Sequence, residues 1–501
     1  MGIQTDGRLR GVAMSSQPDL EGLLSKAAEA AGILKDRASH GSKMLLLSHY
    51  DADGLAAVGI MGSSLARAKA NFQLRVIKEL DPETLDEALR CEPDMLVLTD
   101  IGSGYLDTLA KIAGEHEVVV IDHHPPTGDP TAGEFQVNPH EFGIDGATEI
   151  SAAGLAYLVA RNMSSTNADL SVLAVVGALG DMQDKNNERR LRGPNELAVQ
   201  DAIDCGCLKT DKDLLFFGRE TRPIHRALAL TTTPYLPHLS GEEDNCTALL
   251  ASHKIPLKVG ERWRTTSDLS REEKQTLLSA IVDLLVSKGF KGNKALELIG
   301  TVYTIINEPP GSLTRDAREF SSMLNACGRM DRQGLAASIC LGERGAVLDE
   351  VQDVVGRYRK TLAEYMEWLA ETPSAIMELE TVCVVRGEEK IAENMTGAFS
   401  SILSSAGNLK PNKATIVGTK SRDGGVKISA RAPQTLLKKG VDLGLVLQKA
   451  AAAHGGFGGG HNVAAGAHVR STNIVEFYRM IDSLILEQVK KGESNSQHAL
   501  S

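Results

Sequence analysis

The chain has 501 residues, 42% of them hydrophobic and only 4% aromatic, with 54 basic and 65 acidic side chains and a net charge of −11. No apolar run reaches the roughly 18 residues of a membrane-spanning helix and no charged-then-apolar signal opens the chain, which predicts a soluble globular protein. The acidic balance excludes a general nucleic-acid coat protein, and the length predicts about three domains rather than one core.

In chain order, residues 1–18 are polar and contain Gly and Ser, which predicts a disordered leader. Residues 17–38 have the periodicity of an amphipathic helix. Strands are then predicted at 44–48, 73–79, 95–99 and 117–121, with helices at 54–70, 83–90 and 104–113 between them. Such alternation predicts a parallel α/β sheet with right-handed crossovers. Helices at 149–161 and 169–180 follow, the second apolar enough to be buried while delivering Asp181. This first domain is expected to span 19–205.

Three of these strands run into clusters of ligating side chains: His49-Tyr50-Asp51-Ala52-Asp53-Gly54, Asp100-Ile101-Gly102 and Asp122-His123-His124. Ligands of open α/β sheets bind beyond the carboxyl ends of the strands, so these groups are expected to share one site. Two neighbouring divalent ions repel and need several anionic ligands, which Asp51, Asp53, Asp100, Asp122 and Asp181 supply. Imidazole beside carboxylate favours Mn²⁺, Fe²⁺, Co²⁺ or Zn²⁺ over all-oxygen ions, and Mn²⁺ is the first choice with Mg²⁺ or Co²⁺ as substitutes. The competing reading is that each Asp caps a helix or turn. Asp184, three residues past Asp181, competes as a ligand from the same helix end.

Residues 206–372 have a different texture, with loop-rich stretches at 219–223 and 231–241 and charged helical stretches at 270–288 and 348–368. They are expected to form an inserted helical and mixed module, a spacer or partner-binding surface without a catalytic cluster. Arg315, Arg318, Glu319 and Arg329 could contact nucleic acid or form a structural ion-pair network. Residues 373–486 predict a smaller α/β domain, with strands at 381–386, 414–419 and 425–430 and helices at 395–404 and 441–453. Its run His454-Gly455-Gly456-Phe457-Gly458-Gly459-Gly460-His461 follows a helix, unlike a dinucleotide fingerprint, and is expected to form a loop that cradles phosphate. Arg431 would clamp another phosphate, and it belongs to a basic stripe with Lys420, Arg422, Lys427, Lys438 and Lys439 against Asp423. Residues 487–501 read as a polar tail. The seven scattered cysteines predict a reducing cytoplasmic location.

The four clusters ending in Gly180-Asp181, the glycine-histidine run, and segments 138–153 and 316–329 resemble the DHH phosphoesterases, in particular the archaeal RecJ-like nucleases. The resemblance covers about residues 20–485. It implies a DHH domain with its metal site at the strand ends and a C-terminal DHH-associated domain. It places His49, Asp51 and Asp100 on one metal and Asp53, Asp100, His123 and Asp181 on the other, with Asp100 bridging. Asp122 would orient His123 or its loop, and His124 would face the substrate. Arg431, His454, Gly458, Gly459, Gly460 and His461 would hold substrate. The implied activity is two-metal hydrolysis by a bridging water, in a single-strand-specific exonuclease of DNA replication or repair acting on DNA or RNA. The alternatives are an oligoribonuclease or small-phosphodiester hydrolase, or mainly a scaffold for the GINS-associated replicative helicase.

Overall fold

The computed structural model describes residues 18–498 apart from 113–114, 232–233, 406–408, 411 and 471–472. The expected leader at 1–18 lies almost wholly outside the described residues. The chain divides into two compact units, one comprising 1–186, 190–209 and 336–343, and the other 187–189, 210–335 and 344–501.

The first unit opens with α1 (Leu20–Ser39), β1 (Lys43–His49), α2 (Ala52–Arg67), β2 (Asn71–Ile77), α3 (Pro82–Leu89) and β3 (Met95–Thr99). It continues through α4 (Leu106–Leu109), β4 (Glu117–Ile121), β5 (Glu134–Val137), α5 (Ala152–Met163), α6 (Ser171–Gly180) and α7 (Asn195–Asp204). The five strands form one sheet in the order β2-β1-β3-β4-β5. Every pairing is parallel. Buried runs such as Met44–Leu47 and Met95–Leu98 satisfy a sheet covered on both faces, which explains why these strands are apolar throughout instead of alternating.

Register decides where the chemistry sits. Ser48 pairs with Thr99, Thr99 with Ile121, and Ile121 with Val137, so β1, β3 and β4 end level with one another. The residues that follow each strand therefore emerge at the same sheet edge. Several boundaries differ from the sequence expectation. The helix expected at 149–161 begins at Ala152, because Ser151 caps it by accepting from the Gly154 N–H. The helix expected at 104–113 is one short turn, Leu106–Leu109, after a 3₁₀ turn. The four-residue β5 is too short to leave a period-two signal.

The second unit contains β6 (Leu208–Leu214), α8 (Ile224–Ala229), α9 (Glu243–Ser252), β7 (Lys258–Val259), β8 (Arg262–Trp263), α10 (Arg271–Ser287), β9 (Ile299–Ile305) and α11 (Ala317–Arg329). Helix α12 (Gln333–Cys340) is followed by α13 (Ala346–Glu371) and then by the C-terminal sheet. That sheet comprises β10 (Ile376–Glu378), β11 (Val382–Glu388), β12 (Ala414–Lys420), β13 (Val426–Arg431), β14 (Phe457–Gly460) and β15 (Ala464–Val469). Helices α14 (Thr396–Ser405), α15 (Gln434–Leu437), α16 (Leu443–Ala453) and α17 (Ile474–His498) accompany it. Its strand order is β10-β11-β12-β13-β15-β14, antiparallel except for β11 and β12.

The glycine-rich run is a correction to the expected loop: Phe457–Gly460 is the terminal strand of that sheet. Close packing accounts for its composition. A Cβ at Gly458 would lie 2.7 Å from the Leu447 carbonyl oxygen, whereas one at Gly459 would meet open space.

Candidate metal centre

The strand ends of the first unit place three groups of ligating atoms within 4.8 Å of one another: His49, Asp51 and Asp100; Asp53, His123 and Asp181; and Asp100, Asp122, His123 and His124. Asp100 is the common member of the first and third groups and also approaches the second. Its Oδ2 lies 3.4 Å from His49 Nδ1, and its Oδ1 lies 3.4 Å from His123 Nε2. His123 Nε2 is also 3.3 Å from Asp181 Oδ2 and 3.9 Å from Asp53 Oδ2.

Each side chain is held by an identifiable backbone feature. Asp51 caps α2 by accepting from the Gly54 N–H. Fully buried Asp53 accepts from the Ala152 and Ala153 N–H groups at 2.6 and 3.0 Å, at the positive end of α5. Gly177 in α6 makes that approach feasible, because a Cβ there would sit 2.3 Å from Asp53 Oδ1. Asp100 follows β3 with φ 58, a left-handed conformation that a carboxylate residue adopts only at some cost. His123 Nδ1 donates to the Gly146 carbonyl oxygen at 2.7 Å, leaving Nε2 to face the carboxylates.

The expected role of Asp122 is to orient His123 or its loop, and its carboxylate contacts that loop, accepting from the His124 N–H at 3.2 Å. Its Oδ1 pairs with His124 Nδ1 at 2.8 Å and its Oδ2 accepts from the Ser103 N–H at 2.9 Å. The ring it orients is therefore His124, whose side chain remains 41% exposed. Asp184 is buried but belongs to none of the ligand groups found among the described residues.

The electrostatics are those of a site short of cations. Burial, and then Asp100, pushes the Asp53 carboxyl up to about 7. Burial and then Asp53 raise Asp181 well above the usual carboxylate range. Burial opposes protonation of His49 and His123, but the facing carboxylates outweigh it and raise both imidazoles. Asp122 is held low despite burial because His124 faces it, and His124 is raised in return. The residues fit divalent metal: both Asp100 oxygens and His49 Nδ1 are buried with no hydrogen-bond partner. Buried polar atoms of this kind are normally satisfied, and a bound cation would satisfy them.

The substrate-binding residues expected in the C-terminal domain lie in the second unit. Arg431, on β13, donates to Ser401 Oγ at 2.8 Å, Ser429 Oγ at 3.2 Å, and the carbonyls of Ala430 and Gly397 at 2.9 and 3.2 Å. These acceptors are all neutral. Burial and then Arg329 push the guanidinium down to about 10, so an anion there is electrostatically favoured. Gly459 pairs with Gly466 and Arg431 with Ala464, which puts the open face of Gly459 on the Arg431 side of the sheet. His461 follows the terminal strand, and the His454 ring packs edge-on against Phe477 at 5.4 Å. The residues that sequence reasoning missed are backbone groups, the Ala152 and Ala153 N–H and the Gly146 carbonyl, which carry no residue-type signal.

Comparison with known proteins gives three family matches in chain order: the DHH family N-terminal domain at 43–178, the DHH-CID domain at 216–299 and the DHHA1 domain at 381–487. An uncharacterised protein of Methanocaldococcus jannaschii is 30% identical over 459 residues, covering 90% of this chain and 95% of that one. The single-stranded-DNA-specific exonuclease RecJ of Bacillus subtilis is 26% identical over 175 residues, covering 32% of this chain and 22% of the relative. Among solved structures, RecJ of Thermus thermophilus in complex with Mn²⁺ matches 92% of this chain and 55% of its own at a TM-score of 0.57 and 17% identity. CDC45 of Entamoeba histolytica matches 92% of this chain and 99% of its own at a TM-score of 0.62 and 12% identity. At such identities the structural likenesses establish the fold. With the near full-length relative and the ordered domain matches, they show that the chain belongs to the DHH family, among its RecJ-like proteins.

Proposed function

We propose that the protein is a Mn²⁺-dependent phosphodiesterase that acts as a single-strand-specific exonuclease in DNA replication or repair. The observation that carries this reading is Asp100: a buried carboxylate with no hydrogen-bond partner, each oxygen 3.4 Å from an imidazole of a different ligand group. That geometry is what a bridging ligand between two ions requires. His49 and Asp51 would join Asp100 in holding one ion, and Asp53, His123 and Asp181 in holding the other. When bound, the two ions supply Lewis acidity at the phosphate and acidify water.

The chain's own groups do the rest. The Gly146 carbonyl keeps the proton on His123 Nδ1, so Nε2 stays available as a ligand. Asp122 keeps His124 oriented and favours its protonated form, ready to donate to a phosphoryl or leaving oxygen. Arg431, whose hydrogen-bond acceptors among the described residues are all neutral, would hold a backbone phosphate. RecJ of Bacillus subtilis, named for single-stranded-DNA-specific exonuclease activity, supports the choice of substrate. The Mn²⁺ complex of a structural neighbour supports the choice of ion.

The similarity to CDC45 favours a second reading, in which the protein serves a replicative helicase assembly as a scaffold. An assay of product length on 5′- and 3′-labelled single-stranded DNA, RNA and duplex with Mn²⁺ separates the readings. Progressive shortening from one end of single strands is expected. Absence of hydrolysis on every polymer would leave the scaffold reading, and hydrolysis of small phosphodiesters alone would replace the exonuclease with a small-substrate enzyme.

A further inference from the structure

The loop that presents His123 to the centre is gripped from behind by two amide side chains. His123 Nδ1 donates to the Gly146 carbonyl oxygen at 2.7 Å, and Gln183 Nε2 donates to the same oxygen at 2.9 Å. Both lone pairs of that carbonyl are therefore taken. Gln183 Oε1 accepts in turn from Asn195 Nδ2 at 2.6 Å. Gln183 is 3% exposed and Asn195 2%, so the series of bonds from Asn195 through Gln183 and Gly146 to His123 runs through the interior. In such surroundings each bond polarises the next and a missing member is costly.

The direction of the relay is set at its Gly146 end. A carbonyl only accepts, so the Gln183 amide turns Nε2 toward Gly146 and Oε1 toward Asn195, which must then present Nδ2. Reversing both amides would give Asn195 Oδ1 the partner it lacks, but would set two carbonyl oxygens against each other at Gly146. The backbone holds each member in place. Gly146 can come this close because a Cβ there would fall 2.0 Å from the His123 carbonyl oxygen. The Gln183 N–H donates to the Ala178 carbonyl oxygen at 3.0 Å, closing the end of α6 that leads into Asp181. The Asn195 N–H donates to the Glu149 carbonyl oxygen at 3.3 Å, and the Glu149 N–H to that of Asp145 at 2.9 Å. The start of α7 is thereby tied to the turn that contains Gly146.

We infer that Gln183 and Asn195 are positioning residues: their amides hold the Gly146 carbonyl against His123 Nδ1, so that His123 Nε2 and Asp181 Oδ2, 3.3 Å apart, can share one ion. Neither amide belongs to a ligand group found among the described residues, and both act through His123. Partners of a ligating imidazole are typically worth about 10- to 100-fold in metal affinity. The ion is that of the metal-dependent reading above, on which this part of the inference rests, whereas the hold on the His123 ring does not depend on it.

The test uses two variants of the full chain. Gln183→Met keeps the length of the side chain and removes both its donor and its acceptor. Asn195→Asp leaves Gln183 in place, and a carboxylate in the first turn of α7 suits the positive helix end. That carboxylate offers Gln183 no hydrogen, so the Gln183 amide turns round and withdraws its donor from Gly146. In metal-free protein carrying isotope-labelled histidine, the His123 Nδ1–H signal is identified by its absence from His123→Ala. It is expected to exchange with solvent at least about 10-fold faster in both variants than in wild type, as for a weakened hydrogen bond. Titration with Mn²⁺ is expected to show one ion bound about 10- to 100-fold more weakly and the other unchanged. The Asn195→Asp result is the more telling, because an added anion by itself would tighten cation binding. Unchanged exchange at His123 in both variants would overturn the proposal, as would full affinity for both ions or equal weakening of both. A wild type that takes up no Mn²⁺ while the exchange difference appears would fault only the metal-dependent reading.

Discussion

The two adjacent imidazoles illustrate how much of the site lies in residue identity and how much in placement. His123 and His124 are indistinguishable by type, yet His123 Nε2 faces Asp53, Asp100 and Asp181 while His124 stays paired with Asp122 and half-exposed. His123→Ala should therefore lose bound metal together with rate, whereas His124→Ala should keep its metal and lose about 10²–10⁴-fold in rate, the usual range for general acid–base groups. Elemental analysis and initial rates on one preparation check this, and equal metal loss in both variants would contradict it. The candidate ligand types and their gathering at one sheet edge were legible in the sequence because each cluster directly follows an apolar strand. The partner of Asp122 was not legible: Asp122 stands next to His123 in the chain, but only the fold turns its carboxylate toward His124. Nor could the sequence reveal the Gly146 carbonyl that fixes the His123 tautomer from 23 residues away.

At the scale of elements, the alternation of apolar strands and helices was enough to read a parallel sheet, because strands buried on both faces carry continuous apolar runs. Short or close-packed elements were not readable. The strand β5 has four residues, and the glycine strand β14 has neither alternation nor β-branched side chains, so its pairing with β15 is visible only in the fold. Close packing also positions ligands. Helix α6 approaches Asp53 at Gly177, where an added Cβ would stand 2.3 Å from Asp53 Oδ1 and 2.4 Å from the Ala153 Cβ. Gly177→Ala is expected to cost about 1–3 kcal/mol of stability, the range for overpacking a core, even though alanine is the better helix former. It should also weaken metal binding by displacing Asp53. Denaturant unfolding and metal titration measure the two effects, and a variant as stable as wild type with full metal affinity would show that the contact yields freely.

Across the whole molecule, protons and a bound metal would compete for the candidate centre. In the metal-free protein, Asp53 is raised to about 7 by burial and Asp100, Asp181 is raised by burial and Asp53, and His49 and His123 are raised by carboxylates that overcome burial. Each group holds its proton more tightly folded than unfolded. The stability contributed is therefore full below the unfolded values and is lost as pH rises through the folded ones. Asp51 and Asp122 are shifted the other way and matter only as pH falls below about 4. Between about pH 5 and 8 the metal-free protein should thus lose stability, and the rise in melting temperature on adding Mn²⁺ should grow with pH. A Mn²⁺ effect of the same size at both ends of that range would show that these groups do not bind the ion. The most direct test of the account is Asp100→Asn, because asparagine keeps the shape of the side chain and tolerates the left-handed backbone at φ 58 while removing the bridging charge. Mn²⁺ content and hydrolysis of end-labelled single-stranded DNA should be measured on wild type and variant together. The account predicts two ions per chain in wild type, fewer in the variant, and a loss of at least about 10²-fold in rate; near wild-type hydrolysis with full metal occupancy would contradict it.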